Sequence, residues 1–192
     1  VQVNTKIGLD FGDVIKVSLR QNPDVLMIGE IRDPTTAMMA MRASITGVMV
    51  LSTLHTRDTV EVILRLHDLN VPLPVIGNSL KLIVSTRLLR TLCVRCKRPH
   101  NLTTHQINEM KNFFPEFQSD NLSVFEAVGC SNCHHMGYQG LEPIYEFLCL
   151  DKELILTLSN QNSDIFQEKA RKQLHKNTLF YNAVTLWLSG VI

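Results

Sequence analysis

Asp24-Val-Leu-Met-Ile-Gly-Glu-Ile-Arg-Asp33 is an apolar run of strand length that discharges into Glu30-Ile-Arg-Asp33, where all but the isoleucine are charged. Val25-Leu26-Met27-Ile28 shows no period-two alternation, which predicts a strand covered on both faces, as in a parallel α/β sheet. Ligands of such sheets gather at the carboxyl ends of the strands, and there stand Gly29, Glu30, Arg32 and Asp33. Gly29 lets backbone or ligand come close, and Glu30 can orient a water or a hydrated metal ion. Arg32 and Asp33 can pair with each other or with a neighbour. Alone, the stretch also admits the plainer but less favoured reading of a strand ending in a solvated charged turn.

A second apolar strand, Val48 to Thr53, also ends in functional side chains: Ser52, Thr53, His55, Thr56 and Asp58. Pro34 and Gly47 bracket the segment between, Thr35 to Thr46, whose Ala37, Met38, Met41 and Ile45 fall at helical spacing. Strand, helix and strand with short joints predict a βαβ crossover, which brings Glu30 and His55 to one sheet edge. Upstream, Phe11 to Leu19 reads as a helix with Val14, Ile15 and Leu19 on one face, Asp10 or Asp13 near its start and Pro23 ending it. Arg20, at its end, either contacts another motif or subunit or pairs with the helix carboxyl terminus.

Downstream, Asp58 is the expected N-cap of a helix from Thr59 to about Leu69. Pro72 and Pro74 predict a turn, and Leu80, Ile83, Val84 and Leu88 predict an amphipathic helix from about Val75 to Leu92. Arg87, Arg90, Arg95, Lys97 and Arg98 cluster at its end. Such a cluster suits a solvated face or subunit contact better than nucleic acid or acidic lipid.

The 192 residues, 45% of them hydrophobic, suffice for the core of one domain with a small appendage, and the net charge of +1 selects no polyanionic partner. No apolar run approaches the roughly 18 to 20 residues of a membrane span, and Val1-Gln-Val-Asn-Thr-Lys6 lacks a signal-peptide layout. The chain is therefore expected to be soluble, with room for a peripheral membrane association. Cys93-Val-Arg-Cys96 and Cys130-Ser-Asn-Cys133 predict one closed tetrathiolate Zn²⁺ site rather than redox dithiols, and four thiolates leave no open position for catalysis. Thr104 to Phe114 is the expected helix between the pairs. His134 and His135 are bystanders unless one replaces a cysteine. Cys149, among Phe147, Leu148 and Leu150, is expected to be buried, and the lone Trp187 to belong to the core.

Leu19-Arg-Gln-Asn-Pro-Asp24 leading into Ile28-Gly-Glu-Ile-Arg-Asp33, followed by Thr46-Gly47 and Leu51-Ser-Thr-Leu-His-Thr56, resembles the secretion ATPases of type II secretion and type IV pilus assembly. The resemblance covers nearly the whole chain. It implies that Gly29-Glu30-Ile31-Arg32-Asp33 is an atypical Walker B segment with Glu30 as catalytic carboxylate, and that His55, in a histidine box, senses the terminal phosphate. It also carries an ATPase-core role to Arg87. The tetracysteine insert resembles export and pilus-extension members rather than retraction motors. Departures are Val48 after Thr46-Gly47, Leu141-Glu142-Pro143 in place of an Arg-x-Gly, and few glycines in the closing helices.

The implied fold is a partial RecA-like P-loop NTPase core over residues 1–92, a zinc-binding insert over 93–137 and a helical carboxyl-terminal region over 138–192. The two closing helices are expected at about Asp151 to Ser159 and Ser163 to Leu188, with Leu154, Ile155 and Leu158 in one stripe and Phe166, Ala170 and Leu174 in another. No Gly-x-x-x-x-Gly-Lys loop occurs, so the sequence reads as the carboxyl-terminal portion of a longer protein and as a negligible ATPase alone. The resemblance implies ATP, Mg²⁺, a homo-hexamer and inner-membrane platform proteins for the intact parent, at the cytoplasmic side of a bacterial inner membrane. The competing reading is a non-catalytic zinc-bearing oligomerisation or docking module. A DNA-binding zinc module ranks below both, because the zinc site has no reading head.

Overall fold

The Asp10 carboxylate accepts the Asp13 N–H at 2.8 Å and opens α1 (Phe11–Leu19), which buries Ile15. This computed structural model describes residues 10–113 and 124–192; the expectations for Val1–Lys6 and for Phe114 lie outside them. β1 (Val25–Ile28) follows, then α2 (Pro34–Ile45), with Asp33 as N-cap and proline in the first turn. α2 ends in a Schellman arrangement: Gly47 takes φ 99°, and the N–H groups of Gly47 and Val48 reach the carbonyls of Ser44 and Ala43. β2 (Met49–Ser52) then runs parallel to β1, with Val25 opposite Met49 and Ile28 opposite Ser52. The strand–helix–strand crossover is therefore present.

Its sheet is covered on one face only. Leu26, Ile28 and Val50 pack into the core, whereas Val25, Met27, Met49 and Leu51 are 54%, 75%, 61% and 47% exposed. This corrects the expectation of a strand buried on both faces. Lack of alternation records the capacity for two-sided burial, but coverage has to come from other segments. Within α2 the buried residues are Thr36, Ala37, Ala40, Met41 and Ala43, and Ile45 faces solvent.

α3 (Glu61–Asp68) buries Val62, Ile63 and Leu66; its N-cap position falls at Val60, and the expected cap Asp58, two residues earlier, accepts the Glu61 N–H at 2.8 Å. α4 (Leu73–Ser79) has Pro72 as N-cap and Pro74 in its first turn, so these prolines open a helix. β3 (Leu82–Leu92) comes next, then β4 (Arg98–His100), α5 (Thr104–Phe113) and β5 (Val124–Glu126), which pairs antiparallel with β4. A 3₁₀ turn at Ser131–Cys133 precedes β6 (Tyr138–Cys149), the partner of β3.

The predicted helix from Val75 to Leu92 is thus replaced by α4 and β3. Leu80, Ile83, Val84 and Leu88 do fall at helical spacing, but the same stretch is rich in β-branched residues and finds a partner strand far along the chain. Ile83 and Ser85 are buried while Leu82, Val84 and Leu88 are exposed. Period two also governs the end of β6, where Ile144, Glu146 and Leu148 are buried between exposed neighbours. That phase places Cys149 outside, contrary to the expected buried thiol.

The helical region comprises α6 (Lys152–Ser159), α7 (Ser163–Leu174) and α8 (Leu179–Leu188). The single helix expected from Ser163 to Leu188 breaks at His175, with φ 41°, and Thr178 recaps the chain by accepting the Tyr181 N–H at 3.1 Å. Leu154, Leu158, Phe166, Ala170 and Leu174 are buried, as their spacing predicts.

Two compact units result, and β3 and β6 each pass from one into the other. The first takes the chain up to Ser85 together with Glu146–His175, around a core that includes Ile15, Ile28, Ile63, Ile76, Leu148 and Phe166. The second takes Thr86–Tyr145 and Lys176–Ile192. Its smaller cluster holds Met110 and Val184, with Trp187 partly buried against them. Among the described residues no helix is long and apolar enough to cross a membrane.

Candidate functional site

At the carboxyl ends of β1 and β2 the two connecting segments stay tied to each other. The Ile31 N–H donates to the Thr53 carbonyl at 3.0 Å, and the Thr53 hydroxyl donates to the Gly29 carbonyl at 2.7 Å. This holds Glu30 beside His55. Glu30 Oε2 accepts from Arg32 Nε at 2.5 Å and faces His55 Nε2 at 3.4 Å. The Glu30 side chain is 25% exposed and that of His55 83%, so a carboxylate set back from solvent is flanked by an imidazole open to it. Beside them a Cβ on Gly29 would meet no atom within 4 Å. The arrangement can orient a water or a hydrated cation, with a proton acceptor and a hydrogen-bonding imidazole at hand.

Asp33 does not pair with Arg32. Its two oxygens accept the Thr36 N–H at 2.8 Å and the Thr36 hydroxyl at 2.6 Å. Against the upward push of burial, these bonds hold its carboxyl below the ordinary range. Arg20 is the exposed C-cap of α1. Arg87 lies on β3 in the second unit, where its guanidinium donates to the Thr86 carbonyl at 2.7 Å.

The segment that carries His55 is anchored further along by residues that, Asp58 apart, sequence reasoning did not assign. Glu61 accepts the Arg57 N–H at 2.6 Å and the Arg57 guanidinium at 3.1 Å. These bonds draw the Glu61 carboxyl below its ordinary range, the backbone N–H first and the guanidinium second. Arg171 of α7 comes within 3.8 Å of Asp58. Glu146 Oε1, on the buried face of β6, accepts both the N–H and the hydroxyl of Thr59, at 2.9 and 2.5 Å. The available signal was the polar residue at the apolar phase of Ile144-Tyr-Glu-Phe-Leu148.

In the second unit Cys93, Cys96, Cys130 and Cys133 bring their sulfurs together within 4.8 Å of one another. The edges Cys93–Cys130, Cys96–Cys133 and Cys130–Cys133 measure 4.0, 3.8 and 3.8 Å. Backbone N–H groups point at these sulfurs: Gly129 at Cys96 (3.3 Å), and Cys130 and Gly137 at Cys133 (3.2 Å each). Burial pushes the Cys96 thiol up to about 11. At Cys133 burial acts in the same direction, but the N–H groups of Cys130 and Gly137 prevail and bring it down to about 6. For Cys93 the Arg95 N–H is the main cause of a lowered value. Thiols so gathered and so served by donors can hold one metal ion. His134 and His135 take left-handed backbone conformations, φ 49° and 61°, are exposed, and do not belong to the cluster.

The sequence model of the family described as "Type II/IV secretion system protein" matches residues 1–191. The type IV pilus assembly ATPase PilB of Acinetobacter baylyi is 41% identical over 192 residues, all of this chain and 33% of that protein. The type II secretion system ATPase E of Vibrio cholerae is 38% identical over 168 residues, 88% of this chain and 33% of that protein. The chain thus spans about a third of the length of these relatives. Among solved structures, the pilus retraction motor PilT with bound ADP aligns with a TM-score of 0.62 at 22% identity, covering 95% of this chain and 41% of that one. The Legionella pneumophila ATPase DotB aligns with the same TM-score of 0.62 at 19% identity, covering 95% and 40%. At these identities the structural likeness speaks for the fold alone.

Proposed function

The chain belongs to the Type II/IV secretion system protein family, and from that premise we propose that it is the carboxyl-terminal part of a longer, hexameric ATPase. That parent couples ATP hydrolysis to type IV pilus assembly or type II protein secretion. The observation that carries the reading is the approach of His55 Nε2 to Glu30 Oε2 at 3.4 Å, at the carboxyl edge of a parallel strand pair. The bare apolar face of β1 and β2 supports its coverage by further segments of a longer protein.

In the parent, ATP·Mg²⁺ supplies the phosphoryl group and its countercharge. Glu30 positions the attacking water, His55 reports on the terminal phosphate, and Gly29 leaves room beside them. Arg20, Arg32, Asp33 and Arg87 serve core or intersubunit contacts. Residues 1–92 supply part of a RecA-like core, 93–137 the metal-binding insert and 138–192 the carboxyl-terminal region. The metal is structural Zn²⁺: a tetrahedral site with Zn–S bonds of about 2.3 Å has sulfur–sulfur edges of about 3.8 Å, and the Cys96–Cys133 and Cys130–Cys133 edges are 3.8 Å. The parent works on the cytoplasmic side of a bacterial inner membrane, against platform proteins there.

The test is ATP hydrolysis by the parent, wild type against Glu30→Gln, with zinc measured in the same preparations. Loss of turnover by at least about a hundredfold, with one zinc retained per chain, is the expected result. Equal turnover in both would overturn the assignment of Glu30 and favour a non-catalytic docking module. For the 192-residue chain alone, which has no phosphate loop in its sequence, negligible turnover is expected.

A further inference from the structure

We propose that Glu146 is a positioning residue for His55, acting through Thr59. The inference rests on the reading of Glu30 and His55 given above. His55 lies on a short strap fixed at both ends. At one end the Thr53 hydroxyl binds the Gly29 carbonyl at 2.7 Å, which ties the strap to the segment that carries Glu30. At the other end Thr59 gives both its N–H and its hydroxyl to Glu146 Oε1. Between these ends the contacts include the Thr56 hydroxyl on the Asp58 carbonyl at 3.1 Å, Arg57 on Glu61, Arg171 at 3.8 Å from Asp58, and Leu54 against the core. The Glu146 bonds are buried, polar and long-range in sequence.

Glu146 is 2% exposed and Thr59 0%, and they are 87 residues apart in sequence. A carboxyl group at the core face of a strand, in phase with buried Ile144 and Leu148, costs free energy that an apolar side chain would not. Packing alone therefore does not explain Glu146. The two bonds to one residue do, because they fix both the backbone and the side chain of the position that follows the histidine segment. They also leave no buried side-chain oxygen or nitrogen unsatisfied among the described residues. The geometry makes β6 the outer reference against which the His55 strap is held.

The variants are Glu146→Leu, which keeps volume but removes the acceptor, and Glu146→Gln, which keeps a carbonyl oxygen. Amide exchange of Thr59 is followed in this chain, and kcat and KM for ATP are measured in the longer parent, with Glu30→Gln as reference. Glu146→Leu is expected to speed Thr59 exchange and to lower kcat, each by about tenfold, with KM nearly unchanged, and Glu146→Gln to restore most of both. Should Glu146→Leu fail to fold, Thr59→Val removes only the hydroxyl donor and is expected to lower kcat in the same direction. Unchanged Thr59 exchange in Glu146→Leu overturns the clamp. Fast exchange with unchanged kcat, in a parent that Glu30→Gln silences, overturns the positioning role while leaving the ATPase reading intact. Turnover that survives Glu30→Gln sinks the ATPase-site reading instead, and the positioning role falls with it even where the exchange result upholds the clamp.

Discussion

Glu30 and Asp33 stand three positions apart and have opposite fates. Glu30 keeps its carboxylate at the strand edge against Arg32 and His55, whereas Asp33 spends both oxygens on Thr36 and belongs to the start of α2. Asp33→Ala should therefore destabilise the chain by about 1 kcal/mol at neutral pH, the usual cost of a lost N-cap, read by chemical denaturation. The folded carboxyl titrates below its ordinary 3.8, so the cap contribution is complete above that value and is lost as pH falls through the lower folded value. The gap between wild type and Asp33→Ala should stay constant near neutrality and close in acid. A gap that widens in acid would contradict the cap. Sequence chemistry picked out the residues here but left their pairing open, since Arg32 had equal reason to choose Asp33 or Glu30.

At the scale of elements, β3 is where local pattern and tertiary partner disagree. Its apolar residues fit a helical stripe, but the segment pairs with β6 and alternates. Ile83 is 6% exposed and Leu88 64%, although a helix with that stripe would bury both. Ile83→Ala should cost about 2 to 5 kcal/mol and Leu88→Ala under about 0.5 kcal/mol, measured by urea denaturation of this chain. Similar costs at the two positions would restore the helical reading. The elements with explicit punctuation were legible: α1 from Asp10 to Pro23, and α2 from Asp33-Pro34 to Gly47. β6 carries turn glycines only at its start and was silent until its partner strand was known. Glu146, and with it the anchor of the His55 strap, was hidden for the same reason.

For the whole molecule the two units differ in what holds them. Among the described residues, the first has an extended apolar core, while the cluster of the second holds Met110 and Val184 as its buried members, with four thiols besides. With a metal bound to the four thiols, so small a core would draw much of its stability from that metal. Stripping metal from the loaded protein with a chelator should therefore raise amide exchange at Val124 and Cys133 and leave Ile63 and Leu66 protected. Equal loosening of both sets would show that the units do not stand separately. The sequence by itself determined the chemistry: which carboxylate, imidazole and thiols are present, the crossover that brings Glu30 to His55, and the Cys-x-x-Cys pairs. These rest on short-range spacing, and spacing is written in the chain. The tertiary structure alone decided which sheet face is covered, that residues 82–92 form a strand, and that Glu146 reaches Thr59. Each of those depends on a partner far away in sequence, and burial and strand pairing exist only once that partner has arrived.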